Sequence, residues 1–360
     1  MSAPIKPIGT EVKTGRAGTE VQNAIIPLAN VDPVGNLDQQ MLTIDEPRSS
    51  DIILQQSQIQ GAKKLNDTYT QIEEIGKGAS SRVIKVQRND SKIFAIKIFN
   101  EWLQSKQYNR SFREIEFLQE LKHPNTIEII EWGAFDDRLA IVMPYANENL
   151  AQRIKTIKPE EYIAIMVDVC NGLSFLNKKE IIHRDLKPQN ILLVEDIPKI
   201  ADFGIAKKTR ATYTDLTSEG VFIGTPEYVA PEEARYFLEP LTNPDPSEQI
   251  YWDQIDIYAI GVILYWGLTK QYPIDIPKLG KGQFDIIPGS RKIATQSPRH
   301  LRLANPKIHE ELAALIMATL EKDPKKRKEI FSDRKNPELN SPQILANKLT
   351  ELLNKNWIIR

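Results

Sequence analysis

The sequence contains a single cysteine, Cys170, among its 360 residues, so no disulfide can form within the chain. Acidic and basic side chains nearly balance, with 48 aspartates and glutamates against 47 lysines and arginines. This balance leaves no overall charge that would draw the protein to nucleic acid or to an anionic membrane, and we expect neither as a partner. His300 and His309 have no cysteine or histidine companions at metal-binding spacing, so we assign them no ligand role.

Long apolar runs are also missing. The most apolar window, residues 255–268, contains Asp256 and predicts a buried helix instead of a membrane span. The first six residues, Met-Ser-Ala-Pro-Ile-Lys, lack the apolar core of a signal peptide. We therefore expect a cytoplasmic protein that does not contact a membrane.

Residues 1–66 are rich in proline, glycine, threonine, glutamine and asparagine, and they show no sustained helical or strand period. This composition predicts a flexible, mostly disordered N-terminal tail. From Tyr69 onward, apolar residues alternate as in a strand, and the rest of the chain has the apolar patterns that are typical of a folded domain.

Two short segments place charged and amide side chains directly after apolar runs. The first reads Ile-His-Arg-Asp-Leu-Lys-Pro-Gln-Asn and ends at Asn190, and the second reads Ile-Ala-Asp-Phe-Gly and contains Asp202. Such a cluster suits phosphoryl transfer, in which a base orients a hydroxyl while cations hold the charge of the moving group. Asp185 is the candidate base, and Lys187 is the candidate cation beside the phosphate. Asn190 and Asp202 offer the hard oxygen ligands that octahedral Mg²⁺ prefers.

With these segments the sequence resembles the eukaryotic-type (Hanks-type) Ser/Thr protein kinase superfamily, and the resemblance covers about residues 69–330. It implies an α+β fold with two lobes in a kinase domain at 67–335. The N-lobe, about 67–143, would be an antiparallel β-sheet plus one regulatory helix, and the C-lobe, about 144–335, would be mainly α-helical. Residues 336–360 would form a C-terminal helical extension packed on or following the C-lobe.

The resemblance implies that ATP binds between the lobes. The turn Gly76-Lys77-Gly78 between two predicted strands would be a flap over the phosphates, because glycine lets backbone N–H groups approach the oxygens. Lys97 would hold the α and β phosphates and pair with Glu114, in a helix predicted at 111–121. Met143 would be the gatekeeper beside the hinge. The implied cofactor-binding residues are Ile75, Gly76, Lys77, Gly78, Val83, Ala95, Lys97, Glu114, Met143, Pro144, Ala146, Leu192 and Asp202.

The implied catalytic residues are Asp185, Lys187, Asn190 and Thr225, and Asn190 and Asp202 are the implied metal ligands. Thr225 belongs to the stretch Gly-Thr-Pro-Glu-Tyr-Val-Ala-Pro-Glu, which resembles the family's peptide-positioning loop and ends at Glu232. Glu232 would be buried, and Arg327 is its implied partner. Asp256 resembles the helix aspartate that anchors the catalytic loop from below.

The implied reaction transfers the γ-phosphate of ATP, with Mg²⁺ or alternatively Mn²⁺, to Ser and Thr hydroxyls of protein substrates. Lys187, two residues after the base, points to Ser/Thr acceptors, because the tyrosine-specific branch usually replaces it. Residues 205–223 resemble an activation loop, in which Thr217 or Ser218 is the expected phosphorylation site and Arg184 the expected phosphate contact. Autophosphorylation, through self-association in trans, is a further expectation.

Two alternatives stay open. A small-molecule phosphotransferase of the aminoglycoside or choline type shares the fold, but it tends to have glycine at the position of Arg184 and to lack the Ala-Pro-Glu segment. A binding scaffold without catalytic activity is the other alternative. Ser81, where the family has its third glycine, and an insertion around 238–252 favour the scaffold, whereas the charged catalytic positions all carry the expected residue.

Overall fold

A computed structural model describes residues 63–78, 81–102, 115, 119, 121–202, 207–208, 225–238, 251–279 and 283–359. Several predictions fall outside these residues. They are the tail up to residue 62, the pairing partner Glu114 with most of its helix, Phe203 and Gly204, nearly all of the activation loop, and residues 239–250 of the insertion.

The first part of the described chain is one antiparallel sheet. Its five strands are β1 (Tyr69–Lys77), β2 (Ser81–Arg88), β3 (Ile93–Trp102), β4 (Glu131–Phe135) and β5 (Arg138–Pro144), and they lie in the order β1-β2-β3-β5-β4. Alternating side chains reach one face of the sheet, as the period of a β-strand requires. Ile84, Val86, Ile96, Ile98 and Val142 are fully buried there and form the core of this lobe.

The edge of this sheet at β4 is covered by the residues that precede β1. The carbonyl oxygen of Lys63 accepts the N–H of Ala134 at 2.8 Å, and Leu65 is buried. Gly133 makes this approach possible, because a Cβ atom there would lie 2.2 Å from the Lys63 carbonyl oxygen. The covered edge is not open to pairing with another strand.

The second part of the chain is mainly helical. Its helices are α1 (Leu150–Arg153), α2 (Pro159–Lys178), α3 (Pro231–Leu238), α4 (Ile255–Thr269), α5 (Ile286–Thr295), α6 (Leu301–Ala304), α7 (Glu310–Thr319), α8 (Pro324–Ile330) and α9 (Ser341–Asn354). Every residue of α4 from Ile255 to Tyr265 is buried, as the sequence predicts for a helix that is apolar all round. No described helix is long and apolar enough to cross a membrane.

Short strands flank the two polar segments, the one that ends at Asn190 and the one that contains Asp202. A three-stranded sheet has the order β6-β8-β9, and its strands are β6 (Glu148–Asn149), β8 (Ile191–Val194) and β9 (Ile197–Ile200). Two further pairs are β7 (Ile181–Ile182) with β10 (Lys207–Lys208), and β11 (Lys278–Leu279) with β12 (Gln283–Phe284). β8 and β9 form a hairpin, so the segments that end at Asn190 and contain Asp202 lie at the same end of it.

The segment before β4 joins the two parts of the molecule. The N–H of Ile127 donates to the carbonyl oxygen of Ile200 at 2.8 Å, and the N–H of Ile200 donates to that of Asn125 at 2.9 Å. The side-chain amide of Asn125 also donates to Pro198 at 3.1 Å, within a buried setting. These bonds fix the end of β9, and hence the start of the Asp202 segment, relative to the first sheet.

This architecture confirms the predicted α+β class, with an antiparallel sheet first and a helical part after it. The regulatory helix of the first lobe is described only at Ile115, which is buried, at residue 119, and at its end near Leu121.

Candidate active site

The backbone ahead of Asp185 is fixed by Asp256, which lies on the buried helix α4. The carboxylate of Asp256 accepts the N–H of His183 at 2.8 Å and the N–H of Arg184 at 3.0 Å. Desolvation raises the pKa of Asp256, whereas the His183 side chain and these two donors oppose the rise. The His183 ring is itself buried and hydrogen-bonds the carbonyl oxygen of Ala201 at 2.9 Å. The loop that leads to Asp185 is therefore held by Asp256 on one side and by the Ala201 carbonyl oxygen on the other.

Arg184 and Asp202 both adopt left-handed backbone conformations, with φ of 67° and 66°. This conformation raises the free energy of a residue with a Cβ atom, and it persists only where the surrounding structure imposes it. Here the bonds of Asp256 and of Ile200 supply that constraint. Both polar segments are thus held in conformations that they would rarely take on their own.

The side chains of Lys187 and Thr225 hydrogen-bond each other and the carboxylate of Asp185. The ammonium of Lys187 donates to Oδ2 at 2.7 Å, and the hydroxyl of Thr225 donates to Oδ1 at 2.9 Å. The same ammonium also donates to the Thr225 hydroxyl at 2.9 Å. A carboxylate in this setting can take a proton from an approaching hydroxyl, and the adjacent ammonium can neutralise an incoming anion.

Asn190 closes this cluster from the other side. Its amide nitrogen donates to the backbone carbonyl of Asp185 at 2.8 Å and to Oδ2 of the same residue at 3.2 Å. The side chain of Asn190 is buried, and its Oδ1 atom accepts no hydrogen bond from the described residues. This oxygen is consequently a candidate ligand for a cation.

Lys97 and Asp202 come together from positions 105 residues apart, with Nζ of Lys97 3.3 Å from Oδ1 of Asp202. Lys97 is 8% exposed, on the buried middle of β3. Desolvation alone would raise the pKa of Asp202, but the Lys97 ammonium, together with the side chains of His183 and Lys187, outweighs it, and the pKa is lowered. Asp202 is therefore held ionised. The predicted pairing of Lys97 with Glu114 stays a prediction, since Glu114 lies outside the described residues.

A cleft of about 640 Å³ opens between the first sheet and the helical part. Its lining includes every predicted cofactor-binding residue except Glu114, and Asn190 as well. Such a size and a wall of both apolar and polar side chains suit a small-molecule ligand. Asp185, Lys187 and Thr225 do not line the cleft, so the cluster around Asp185 and the cavity are adjoining parts of one site, joined at Asn190.

The turn over this cleft is tight where the sequence predicts a flap. The N–H of Gly78 donates to the carbonyl oxygen of Ser81 at 2.8 Å, between β1 and β2. Ser81 lines the cleft, as do Gly76 and Gly78. A serine at this position therefore leaves the cavity open.

Sequence reasoning missed part of the lining. The additional residues are Ser81, Ile127, Ile141, Tyr145, Asn147, Glu148, Asn149, Gln152, Gln189 and Ala201. The polar run from Asn147 to Asn149, directly after the buried strand β5, was the available clue to some of these residues. The others depend on how strands from distant parts of the chain meet, which no local pattern reveals.

The donor set suits a hard divalent cation. Asp202 supplies an ionised carboxylate and Asn190 supplies an amide oxygen, whereas no group of three His, Cys, Asp or Glu side chains that could hold a metal occurs among the described residues. Mg²⁺ is commonly bound by one or two protein ligands together with phosphate oxygens and water. These two residues fit that pattern, with the rest of the coordination left to a phosphate ligand.

The segment after Thr225 is anchored by a buried ion pair. The guanidinium of Arg327, which is fully buried, donates to the carboxylate of Glu232. Arg327 also donates to the carbonyl oxygen of Glu321, and its guanidinium carbon lies 5.4 Å from the centre of the Tyr258 ring. The predicted structural pairing of Glu232 with Arg327 is present.

Comparison with known proteins gives one family. The family model described as "Protein kinase domain" matches residues 69–337. A protein of Lactococcus lactis named probable serine/threonine-protein kinase PknB is 31% identical over 278 residues, which are 75% of this chain and 41% of that protein. Serine/threonine-protein kinase cds1 of Schizosaccharomyces pombe is 32% identical over 284 residues, 74% of this chain and 57% of that protein. The human serine/threonine-protein kinase MAK is 28% identical over 314 residues, 80% and 48% of the two chains. The chain thus spans about half the length of these relatives.

Proposed function

The chain belongs to the protein kinase family, and on that premise we propose that it transfers the γ-phosphoryl group of ATP to Ser and Thr hydroxyls of proteins. The observation that carries this proposal is the convergence of Lys187 and Thr225 on the Asp185 carboxylate, at 2.7 and 2.9 Å. The relatives named above are all called serine/threonine-protein kinases, which supports the same class of acceptor.

Asp185 is the proposed base. It accepts the proton of the acceptor hydroxyl as that oxygen attacks the γ-phosphorus, while the bond to the β–γ bridging oxygen breaks. Lys187 lies beside it and stabilises the charge of the phosphoryl group in transfer. Thr225 keeps these two side chains in position, since its hydroxyl donates to Asp185 and accepts from Lys187.

ATP occupies the cleft in this proposal. The adenine lies against Ala95, Met143 and Leu192, and its edge meets the backbone of Pro144 and Ala146. Pro144 has no N–H, so it offers only its carbonyl oxygen, which is what the adenine amino group needs. This arrangement directs the phosphates toward the charged end of the cleft.

At the charged end, Lys97 holds the α and β phosphates, and Glu114 remains its predicted partner. Asn190 and Asp202 would hold Mg²⁺, or alternatively Mn²⁺, which neutralises phosphate charge when bound. Because Lys97 keeps Asp202 ionised, the carboxylate is ready to serve as a metal ligand.

The remaining predictions concern partners and location. Protein substrates with Ser or Thr acceptors, self-association for autophosphorylation in trans, and a cytoplasmic location stay predictions from the sequence. The domain boundaries at residues 66 and 335 also stay predictions.

The test is the transfer of labelled phosphate from ATP with Mg²⁺ to a generic Ser/Thr-rich protein and to the chain itself. We expect label on serine or threonine with the unmutated protein and none with Asp202→Ala, which removes the carboxylate but leaves the fold. Asp137→Ala, a change in an exposed acid of the β4–β5 turn, is the matched control and should keep full activity.

Folded protein that binds ATP but transfers no label would favour the binding scaffold over the enzyme. Label on small alcohols or aminoglycosides in place of proteins would favour the small-molecule phosphotransferase. Near-normal activity of Asp202→Ala would show that the assigned site is wrong.

A further inference from the structure

Lys85 lies on the face of the first sheet that borders the cleft. In β2, Ile84 and Val86 are fully buried in the core of this lobe, so their neighbours along the strand point to the opposite face. One of these neighbours, Val83, lines the cleft. The same alternation places Lys85 on the cleft side, two residues beyond Val83, and its side chain is 24% exposed.

A short row of side chains connects Lys85 to the segment that follows β5. Lys85 is the cross-strand partner of Ala95 on β3, and Ala95 is the partner of Met143 on β5. Tyr145 comes two residues after Met143, just past the end of β5, and both of them line the cleft. Because Ala95 in the middle of this row is small, the long side chain of Lys85 has room to reach toward Tyr145.

The ammonium of Lys85 lies over the ring of Tyr145, with Nζ 4.5 Å from the ring centroid. A cation at this distance is attracted by the negative face of an aromatic ring. The same ammonium lies 3.7 Å from Oε1 of Glu73, the cross-strand partner of Lys85 on β1. The Glu73 side chain is 57% exposed, so this ion pair is weak. The contact with the ring is therefore the one that joins the sheet to the segment after β5.

This contact bridges two structures that border the cleft. The strands β1 and β2 form the predicted flap hairpin, and Lys85 belongs to β2. Tyr145 stands between Pro144 and Ala146, whose backbone meets the adenine edge in the proposed function. Lys85 itself does not line the cleft. It can therefore act on a bound base only through Tyr145 and through the position of the flap hairpin.

We propose that Lys85 is a positioning residue for the nucleotide base. Its ammonium holds the ring of Tyr145 against the flap hairpin, and this contact closes the base-binding end of the cleft over the adenine. The proposal rests on the proposed function, because it assumes that the cleft binds ATP. It adds a determinant of how long the nucleotide stays bound, and that determinant lies outside the lining of the cleft.

Two other roles of Lys85 predict different results. As a plain positive charge near the site, Lys85 would attract the phosphates of ATP but would not affect an uncharged ligand such as adenosine. As a purely structural residue, it would change the stability of the fold and leave ligand binding unchanged. The side chains of Lys85 and Tyr145 are both partly exposed, so we expect removal of the ammonium to change the melting temperature little.

The experiment measures the binding of ATP and of adenosine to the full chain by competition with a fluorescent ATP analogue, whose dissociation rate is followed by stopped flow. Lys85→Met keeps the apolar length of the side chain and removes the charge. It should weaken the binding of both ligands by the same factor, about two- to fivefold, which corresponds to the usual strength of one cation–π contact. The loss should appear mainly as faster dissociation of the nucleotide.

Further variants separate the charge from the ring. Lys85→Arg keeps a cation over the ring and should restore most of the affinity that Lys85→Met loses. In the Tyr145→Leu background, Lys85→Met should cause no further loss, because the ring is gone, whereas in the Tyr145→Phe background the loss should persist. Lys92→Met is the matched control, since Lys92 is an exposed lysine between β2 and β3, and it should bind both ligands like the unmutated protein.

Weaker binding of ATP but not of adenosine in Lys85→Met would overturn the proposal in favour of simple charge attraction. Equal binding by Lys85→Met and the unmutated protein would also overturn it, as would a full effect of Lys85→Met in the Tyr145→Leu background. If the unmutated protein bound ATP but not adenosine, the base end would contribute too little for such a contact, and the proposal would be wrong. If it bound neither ligand, the proposed function itself would fail.

Discussion

The hydroxyl of Thr225 donates a 2.9 Å hydrogen bond to Oδ1 of Asp185, a residue forty positions earlier in the chain. The ammonium of Lys187 reaches both groups, at 2.7 Å from Oδ2 and 2.9 Å from the hydroxyl. One small side chain thereby bridges the proposed base and the proposed phosphate-binding cation.

Thr225→Ala should lower kcat for phosphate transfer by about tenfold or more, because a hydrogen bond to an ionised group is lost and Asp185 and Lys187 gain freedom. Thr225→Ser keeps the hydroxyl and should retain most of the activity. Thr295→Ala, at an exposed helical threonine, serves as the control. Equal losses in the alanine and serine variants would show that the methyl group, and not the hydroxyl, is what matters.

Lys97→Met should lower kcat/KM for ATP on the order of a hundredfold, since a buried cation that would face the phosphates is replaced by an apolar chain of similar length. Steady-state kinetics with varied ATP provide the measurement, and circular dichroism checks that the protein is folded. Lys92→Met, at an exposed lysine just before the same strand, should behave like the unmutated protein. Unchanged kinetics in Lys97→Met would remove Lys97 from the site.

Arg327→Ala should lower the free energy of unfolding by about 3–5 kcal/mol, because it leaves the carboxylate of Glu232 buried without its cation. Urea titration followed by tryptophan fluorescence gives the value. Lys326→Ala, an exposed neighbour on the same helix, should cost much less.

The double change Glu232→Leu with Arg327→Met should recover part of this loss, since no charge then remains buried. If the single and double variants were equally stable, desolvation of Glu232 would not be the cause of the loss.

Glu233 should make stability depend on pH. Desolvation raises the pKa of Glu233 to about 8 from an ordinary value of 4.5, with the carboxylates of Glu232 and Asp256 adding to the rise while the Ala230 N–H opposes it. The folded state thus retains a proton that the unfolded state has lost between these two values. The contribution of Glu233 is fully present below about pH 4.5, declines as the pH rises, and is lost above about pH 8.

Glu233→Gln removes this titration. The stability of the unmutated protein minus that of the variant should fall between pH 5 and pH 8, by an amount on the order of a few kcal/mol, and then level off. Urea unfolding across this range is the measurement. A difference that is constant with pH, or that grows as the pH rises, would contradict the assignment.

Much of the site could be predicted because its residues lie in short segments of fixed order. Asp185, Lys187 and Asn190 lie on one loop within six residues, so the chain itself keeps them near each other. The Lys97–Asp202 contact spans 105 residues, and the sequence analysis assigned both residues to one site only through the resemblance to a family, without predicting the contact itself. Nothing in the sequence indicated that Arg153 contacts Glu148 and Asp196, because charged residues are common along the chain and their order does not reveal which of them meet.

The sequence by itself indicated the fold class and the candidate catalytic side chains, because motifs of fixed order and spacing carry the resemblance to a family. Tertiary structure decided which charges meet and which are buried. Glu233 shows the difference, since a glutamate on a short helix normally faces solvent, and only the packing of α3 against its neighbours encloses it. Burial and long-range contact depend on the path of the whole chain, and for this reason they could not be deduced from any single segment.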